Sequence, residues 1–202
     1  FGKSLLISTL EAYFLGKKEL FEGLAMAQLE KNWIRRPVLH LDLNIGKYDA
    51  PDSLDKILEE ALSKWEITYG TGVGETTLAL RFKGIVERAS QQSGQRVAIL
   101  VDEYDKPLLQ AIGNKELQSA YRNTLKPFYG VLKTMDGCIK LAFLTGVTKF
   151  GKISVFSDLN NLDDISMQEM YVGLCGITGQ EIHDNLEEEL HELADAQKMT
   201  YE

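Results

Sequence analysis

Residues 94–107 read GQRVAILVDEYDKP. The unbroken apolar run Val97–Val101 ends in Asp102 and Glu103, and Pro107 closes the segment. A strand with one face in water alternates apolar and polar residues. A short run without alternation is instead the pattern of a strand buried on both faces. Such strands sit inside parallel sheets that carry helices on each side. The fold therefore turns on whether other strands and helices alternate around this one.

They do. Upstream, RRPVLHLDLN predicts a strand over Pro37–Asn44, with Gly46 after it. Between the two strands, PDSLDKILEEALSKW sets Leu54, Ile57, Leu58, Ala61, Leu62 and Trp65 on one helical face behind an Asp52 or Ser53 cap. After the glycine-rich break YGTGVGE, a second helix turns Leu78, Phe82, Ile85, Val86 and Ala89 inward. Downstream, a helical region at about Lys115–Lys133 is expected to be interrupted by Pro127. IKLAFLTGVT predicts another buried strand, and YVGLCGI a weaker one.

The two ends add helices. Leu5, Leu6, Leu10, Tyr13 and Phe14 recur at helical spacing up to Gly16, and a second amphipathic stretch spans roughly Lys18–Trp33. Thr178-Gly-Gln-Glu181 has capping-box spacing and opens a helix with Ile182, Leu186, Leu190 and Leu193 inward.

The chain has 202 residues, 44% of them hydrophobic and 26% charged, which suits one well-buried domain or one domain with part of a second. A net charge of −8 argues against a protein that coats nucleic acid, because phosphate contacts need clustered Lys and Arg. Cys138 and Cys175 are too few and too far apart for a disulfide framework or a zinc site. With no signal peptide and no long apolar run, a reducing cytoplasm is expected, with no membrane partner. A start at Phe1 points to a fragment or a processed chain.

The chemistry lies at two places. Gly2-Lys3-Ser4 directly precedes the first helix, as the end of a G-x-x-x-x-G-K-[ST] phosphate loop would. There, backbone N–H groups at the helix N-terminus surround phosphate, Lys3 reaches the β- and γ-phosphates, and Ser4 binds Mg²⁺. A G-K-[ST] tripeptide arises by chance in about one in ten chains of this length, so it needs a second element. Asp102-Glu103 at the end of an apolar strand supplies one, in the form of a Walker B element. Asp102 would hold the Mg²⁺ shell and Glu103 would polarise the attacking water. One strand lies between the loop and Asp102. That order, with Glu103 next to Asp102, resembles the additional-strand class of P-loop ATPases, where a polar residue ending the next strand can sense the γ-phosphate. Thr145 occupies that position.

FGKSLL, LEAYFLGKKELFEGL, PVLHLDLN, VDEYDKPL, FYGVLK, FLTGVTKF and SDLNNLDDIS together resemble the predicted AAA-ATPase-like family of bacterial proteins, from Phe1 to about Leu186. The resemblance implies an α/β, three-layer P-loop NTPase core with a mostly parallel sheet. It implies a core over 1–177 that lacks its first strand and half its phosphate loop, and the start of a helical or winged lid over 178–202. It implies ATP and Mg²⁺ as cofactors and a C-terminal PD-(D/E)XK nuclease-like domain or partner effector. Nucleic acid would be reached only through that effector. The family's loop is arginine-rich and glycine-poor. That keeps open an interaction module that binds no nucleotide, beside another alternative to ATP hydrolysis, a nucleotide-gated switch with little turnover.

Other candidates have plainer readings. GTGVGETT, 70–77, puts Glu75 where a phosphate loop has Lys, so it reads as an inter-helix loop. Arg122 and Lys149 are arginine-finger-like positions that also suit a surface charge. Lys106 is expected to pair with Asp102 or Asp105. His183, Glu187 and His191 share a helix face, either as a metal site or as a solvated surface. In DEYDK, Tyr104 stands where a nuclease's (D/E)-x-K needs an acid, which excludes that chemistry here.

Overall fold

The computed structural model describes residues 2–147, 155–156, 159 and 162–198. It divides into two compact units, one formed by Ile7–Leu162 and a smaller one by the residues up to Leu6 together with those from Asp163 on.

The larger unit is α/β. Strands β1 (Val38–Asp42), β2 (Val97–Asp102) and β3 (Ile139–Leu144) form a parallel sheet in the order β1-β2-β3. Helix α1 runs Lys3–Phe14, and its first turn is counted with the smaller unit. Then come α2 (Ala25–Leu29), α3 (Ser53–Tyr69), α4 (Leu78–Ser93), α5 (Lys106–Gln110) and α6 (Lys115–Thr134).

Every residue of β2 is buried, because it has a strand on each edge and helices on each face. Its side chains alternate between two cores. Val97, Ile99 and Val101 join Leu39 and Leu41 of β1 in one large cluster with Leu54, Leu58 and Leu62 of α3, Phe82, Ile85 and Val86 of α4, and Leu125, Phe128 and Leu132 of α6. At its centre Phe82 stacks on Phe128 with ring centroids 4.5 Å apart, and each such buried ring contributes about 2–3 kcal/mol. Ala98 and Leu100 are buried on the opposite face. The register pairs Leu100 with His40, whose Nδ1 lies 2.9 Å from Glu11 of α1 and so ties that helix over this second face. Helices, sheet and α1 make the three layers of a P-loop-like core.

Four local expectations are corrected. Lys18–Trp33 is not one helix. A 3-10 turn at Lys18–Phe21 and the short α2 are separated by Gly23 at φ 80°, while Phe21 packs against Tyr13 and Trp33. Helix α6 runs unbroken through Pro127, which sits on the solvent side, where the carbonyl that loses its N–H partner can bond water. YVGLCGI forms a 3-10 turn and bends rather than a strand, with Gly176 at φ 94°.

In the smaller unit the Thr178–Glu181 capping box forms as expected, but the helix stops at Asn185. After Leu186, at φ −131°, α8 (Glu187–Gln197) follows α7 (Gly179–Asn185). Neither buries a residue, and Leu186 and Leu193 are exposed. No helix among the described residues is long and apolar enough to cross a membrane.

Candidate functional site

Parallel strands leave their C-terminal ends at one edge of the sheet, where loops can carry chemistry. Asp102 ends β2, in register with Asp42 at the end of β1. Thr145 follows β3 and is only 7% exposed, and Asp102 is 5% exposed. The two meet directly, with the Thr145 hydroxyl donating to Asp102 Oδ1. A carboxylate this buried is costly unless it is hydrogen-bonded, and the hydroxyl on the neighbouring strand supplies part of that compensation.

The loops after β2 and β3 are joined by backbone bonds as well. Thr145 N donates to Val101 O at 2.9 Å, Tyr104 N donates to Thr145 O at 2.8 Å, and Glu103 N points to Thr145 Oγ1 at 3.4 Å. Glu103 is held at φ 55°, a left-handed conformation that a side chain bearing Cβ adopts at a cost of about 1–2 kcal/mol. Tyr104 packs its ring on Phe156, 5.3 Å between centroids, and Phe156 packs on the fully buried Tyr129, whose phenol burial pushes well above its ordinary value. Rigid aromatic contacts thus fix the loop that presents Glu103.

Two residues here were not singled out by sequence pattern. Asp105 is fully buried and accepts from Val147 N at 2.9 Å. Gly146 approaches so closely that a Cβ there would lie 2.5 Å from the Tyr104 ring and 2.7 Å from Asp105 Oδ1. The signals were an acid three positions after Asp102 and a Gly directly after Thr145, both easily read as ordinary turn residues.

Gly2, Lys3 and Ser4 belong to the smaller unit. Gly2 stands at φ 86° and its carbonyl accepts the first helical bond of α1, from Leu6 N at 2.9 Å. The first turn of α1 has no acidic residue, so the positive end of the helix dipole is not offset there.

The remaining candidates separate. The 70–77 loop is structural: Glu75 makes a two-pronged contact with Arg88, at 2.5 and 3.1 Å, and accepts from Gly72 N. The Arg88 hydrogen bond holds the Glu75 carboxyl below its ordinary range. Lys106 opens α5 and makes no ion pair among the described residues, so the expected pairing is corrected; the Asp105 carboxylate is turned toward Val147 instead. Arg122 lies on α6. Lys149 lies outside the described residues, as do several positions of SDLNNLDDIS. No group of three His, Cys, Asp or Glu among the described residues is placed to hold a metal, and His183 and His191 fall on separate helices. Cys138 and Cys175 are free.

A protein from Azotobacter chroococcum mcd 1, described as an uncharacterized protein in the vnfD 5'region, is 38% identical over 183 residues. The match covers 90% of this chain and 35% of the relative, so the chain spans about a third of that protein's length. No solved structure matches. The family model described as Predicted AAA-ATPase matches residues 1–156, which hold both Gly2-Lys3-Ser4 and the Asp102–Thr145 pair, and the chain belongs to that family.

Proposed function

We propose that this chain is the ATPase core of its protein and that it binds and hydrolyses ATP with Mg²⁺. The observation that carries the reading is the buried Asp102–Thr145 pair at the C-terminal edge of the central strand, beside a Glu103 held in a strained backbone conformation. Strained residues gather at functional sites, and this strain falls on the residue that would activate water in this reading.

Mg²⁺ prefers hard oxygen ligands, and the Asp102 carboxylate and the Ser4 hydroxyl are of that chemical kind. When bound, the ion would neutralise charge on the β- and γ-phosphates. Lys3 adds a second cation to those phosphates, at a helix N-terminus that itself favours anions. Glu103 would orient and polarise the attacking water. Thr145 would sense the γ-phosphate, and its hydroxyl would have to shift its donation from Asp102 to do so. The outer edge of β3 has no strand beside it among the described residues, which suits an additional-strand sheet, where the loop strand pairs at that edge.

Turnover would drive or gate an effector in the bacterial cytoplasm, either fused or separate, for which the resemblance suggests a PD-(D/E)XK nuclease-like domain. The core would span 1–177, with 178–202 beginning a lid. The engaged Thr145 hydroxyl also favours a second reading, a nucleotide-gated switch with little turnover.

Calorimetry with Mg-ATP, on this chain and on a version extended upstream, tests the proposal with Lys3→Ala as control. Binding that Lys3→Ala abolishes supports it, and phosphate release from the same samples separates hydrolysis from switching. A folded, extended chain that binds no nucleotide leaves an interaction module.

A further inference from the structure

Asp105 occupies the N-cap position of α5, where an Asp ordinarily accepts a hydrogen bond from the first turn of its own helix. It makes no such bond. Its carboxylate, fully buried, crosses instead to the loop after β3 and accepts from Val147 N at 2.9 Å. Burying an acid is expensive, and the helical backbone of Asp105, at φ −94° and ψ −8°, does not turn its side chain onto the N–H groups of its own helix. The opposite loop is shaped to receive it, because Gly146 leaves room that any Cβ would fill.

We infer that Asp105 is a positioning residue: by clasping the Thr145–Val147 turn it sets the Thr145 hydroxyl on Asp102 and keeps Glu103 in its left-handed backbone state. The inference rests on the ATPase reading above for its catalytic consequence, but not for the clasp itself. Thr145 is held from both sides. Its carbonyl is bound by Tyr104 N, and two residues later Val147 is bound by Asp105. Releasing Val147 frees the turn that carries the hydroxyl, and with it the acceptor facing Glu103 N. Asp105 itself touches neither phosphate nor water in this scheme.

Two variants test the clasp. Asp105→Asn keeps an oxygen that can accept from Val147 N. Asp105→Ser keeps a small polar side chain at the start of α5 but is too short to reach across. Amide hydrogen exchange at Val147 and Tyr104 reads the clasp without nucleotide, and phosphate release with ATP affinity reads its consequence. In Asp105→Ser, exchange at both amides should speed up and kcat fall about tenfold with ATP affinity nearly unchanged, while Asp105→Asn stays within about threefold of the parent. The inference is overturned if Asp105→Ser keeps slow exchange and full turnover. It is equally overturned if Asp105→Asn falls as far as Asp105→Ser, or if affinity and turnover drop together. A parent protein that releases no phosphate would refute the ATPase reading, and exchange at the two amides would then decide the clasp alone.

Discussion

Glu75 in the loop at 70–77 and Asp102 at the end of β2 are both carboxylates withdrawn from solvent, and the fold treats the two acids in opposite ways. Glu75 is closed off by Arg88, cation against anion, with Arg81 and Glu66 forming a second such pair close by. Asp102 is met by a hydroxyl from the neighbouring strand, beside a backbone strained at Glu103. A carboxylate already matched by a guanidinium has little left to offer a ligand, whereas a hydrogen bond from a hydroxyl brings no opposite charge. Residue type does not separate these cases. The partner does.

The largest expected effect tests the working side of this contrast. Asp102→Asn keeps the shape and the hydroxyl contact but removes the charge. Phosphate release should fall about 100-fold while the melting temperature barely moves. A variant that still turns over at the parent rate would place the metal-holding acid elsewhere, with Asp42 the nearest candidate by register.

On the structural side, Arg88→Ala leaves Glu75 partly buried without its cation. A loss of about 2 kcal/mol in chemical denaturation is expected, with turnover per folded molecule unchanged. A selective loss of nucleotide binding would instead give the glycine-rich loop a role in the site.

Smaller still is the effect of relieving strain. Glu103→Gly should leave stability equal or raise it by about 0.5–1 kcal/mol, because glycine adopts φ 55° freely, while phosphate release drops. Clear destabilisation would mean that the Glu103 side chain supports the fold rather than the chemistry.

The smallest effect is on acid stability. Hydrogen bonds from Arg81 and Arg88 hold Glu66 and Glu75 below their ordinary 4.5. Their contribution is therefore complete above 4.5 and is lost as pH falls through the lowered folded values. The urea midpoint should decline in that acid range, and less steeply in Arg88→Ala, where the share of Glu75 is gone.

Much of this was legible in local pattern. The unbroken apolar run Val97–Val101 marks β2, the bounds Pro37 and Gly46 mark β1, and the Thr178–Glu181 spacing forms its capping box. β3 forms where expected, but with Lys140 exposed and Leu141–Leu144 only partly buried it is not the buried strand its apolar run predicts. Patterns that needed a partner misled. Leu186 and Leu193 repeat at helical spacing, yet the helix breaks at Leu186 and neither residue is buried. YVGLCGI is apolar enough for a strand, but its glycines and its exposure leave it in turns. In α6 the error ran the other way: Pro127 reads as a breaker, but a proline on the wet face of a long amphipathic helix costs less than losing the packing of Phe128 and Leu132.

The sequence by itself determined the α/β class, the three strands and the acids and threonine at their ends, because strand burial and helix periodicity are written in local hydrophobic spacing. Only the tertiary structure decided which carboxylate is matched by a guanidinium, which by a hydroxyl, and which crosses to clasp another loop. Those pairings join residues tens of positions apart, as Asp102 with Thr145 and Asp105 with Val147, and are set by strand order and register rather than by neighbours along the chain.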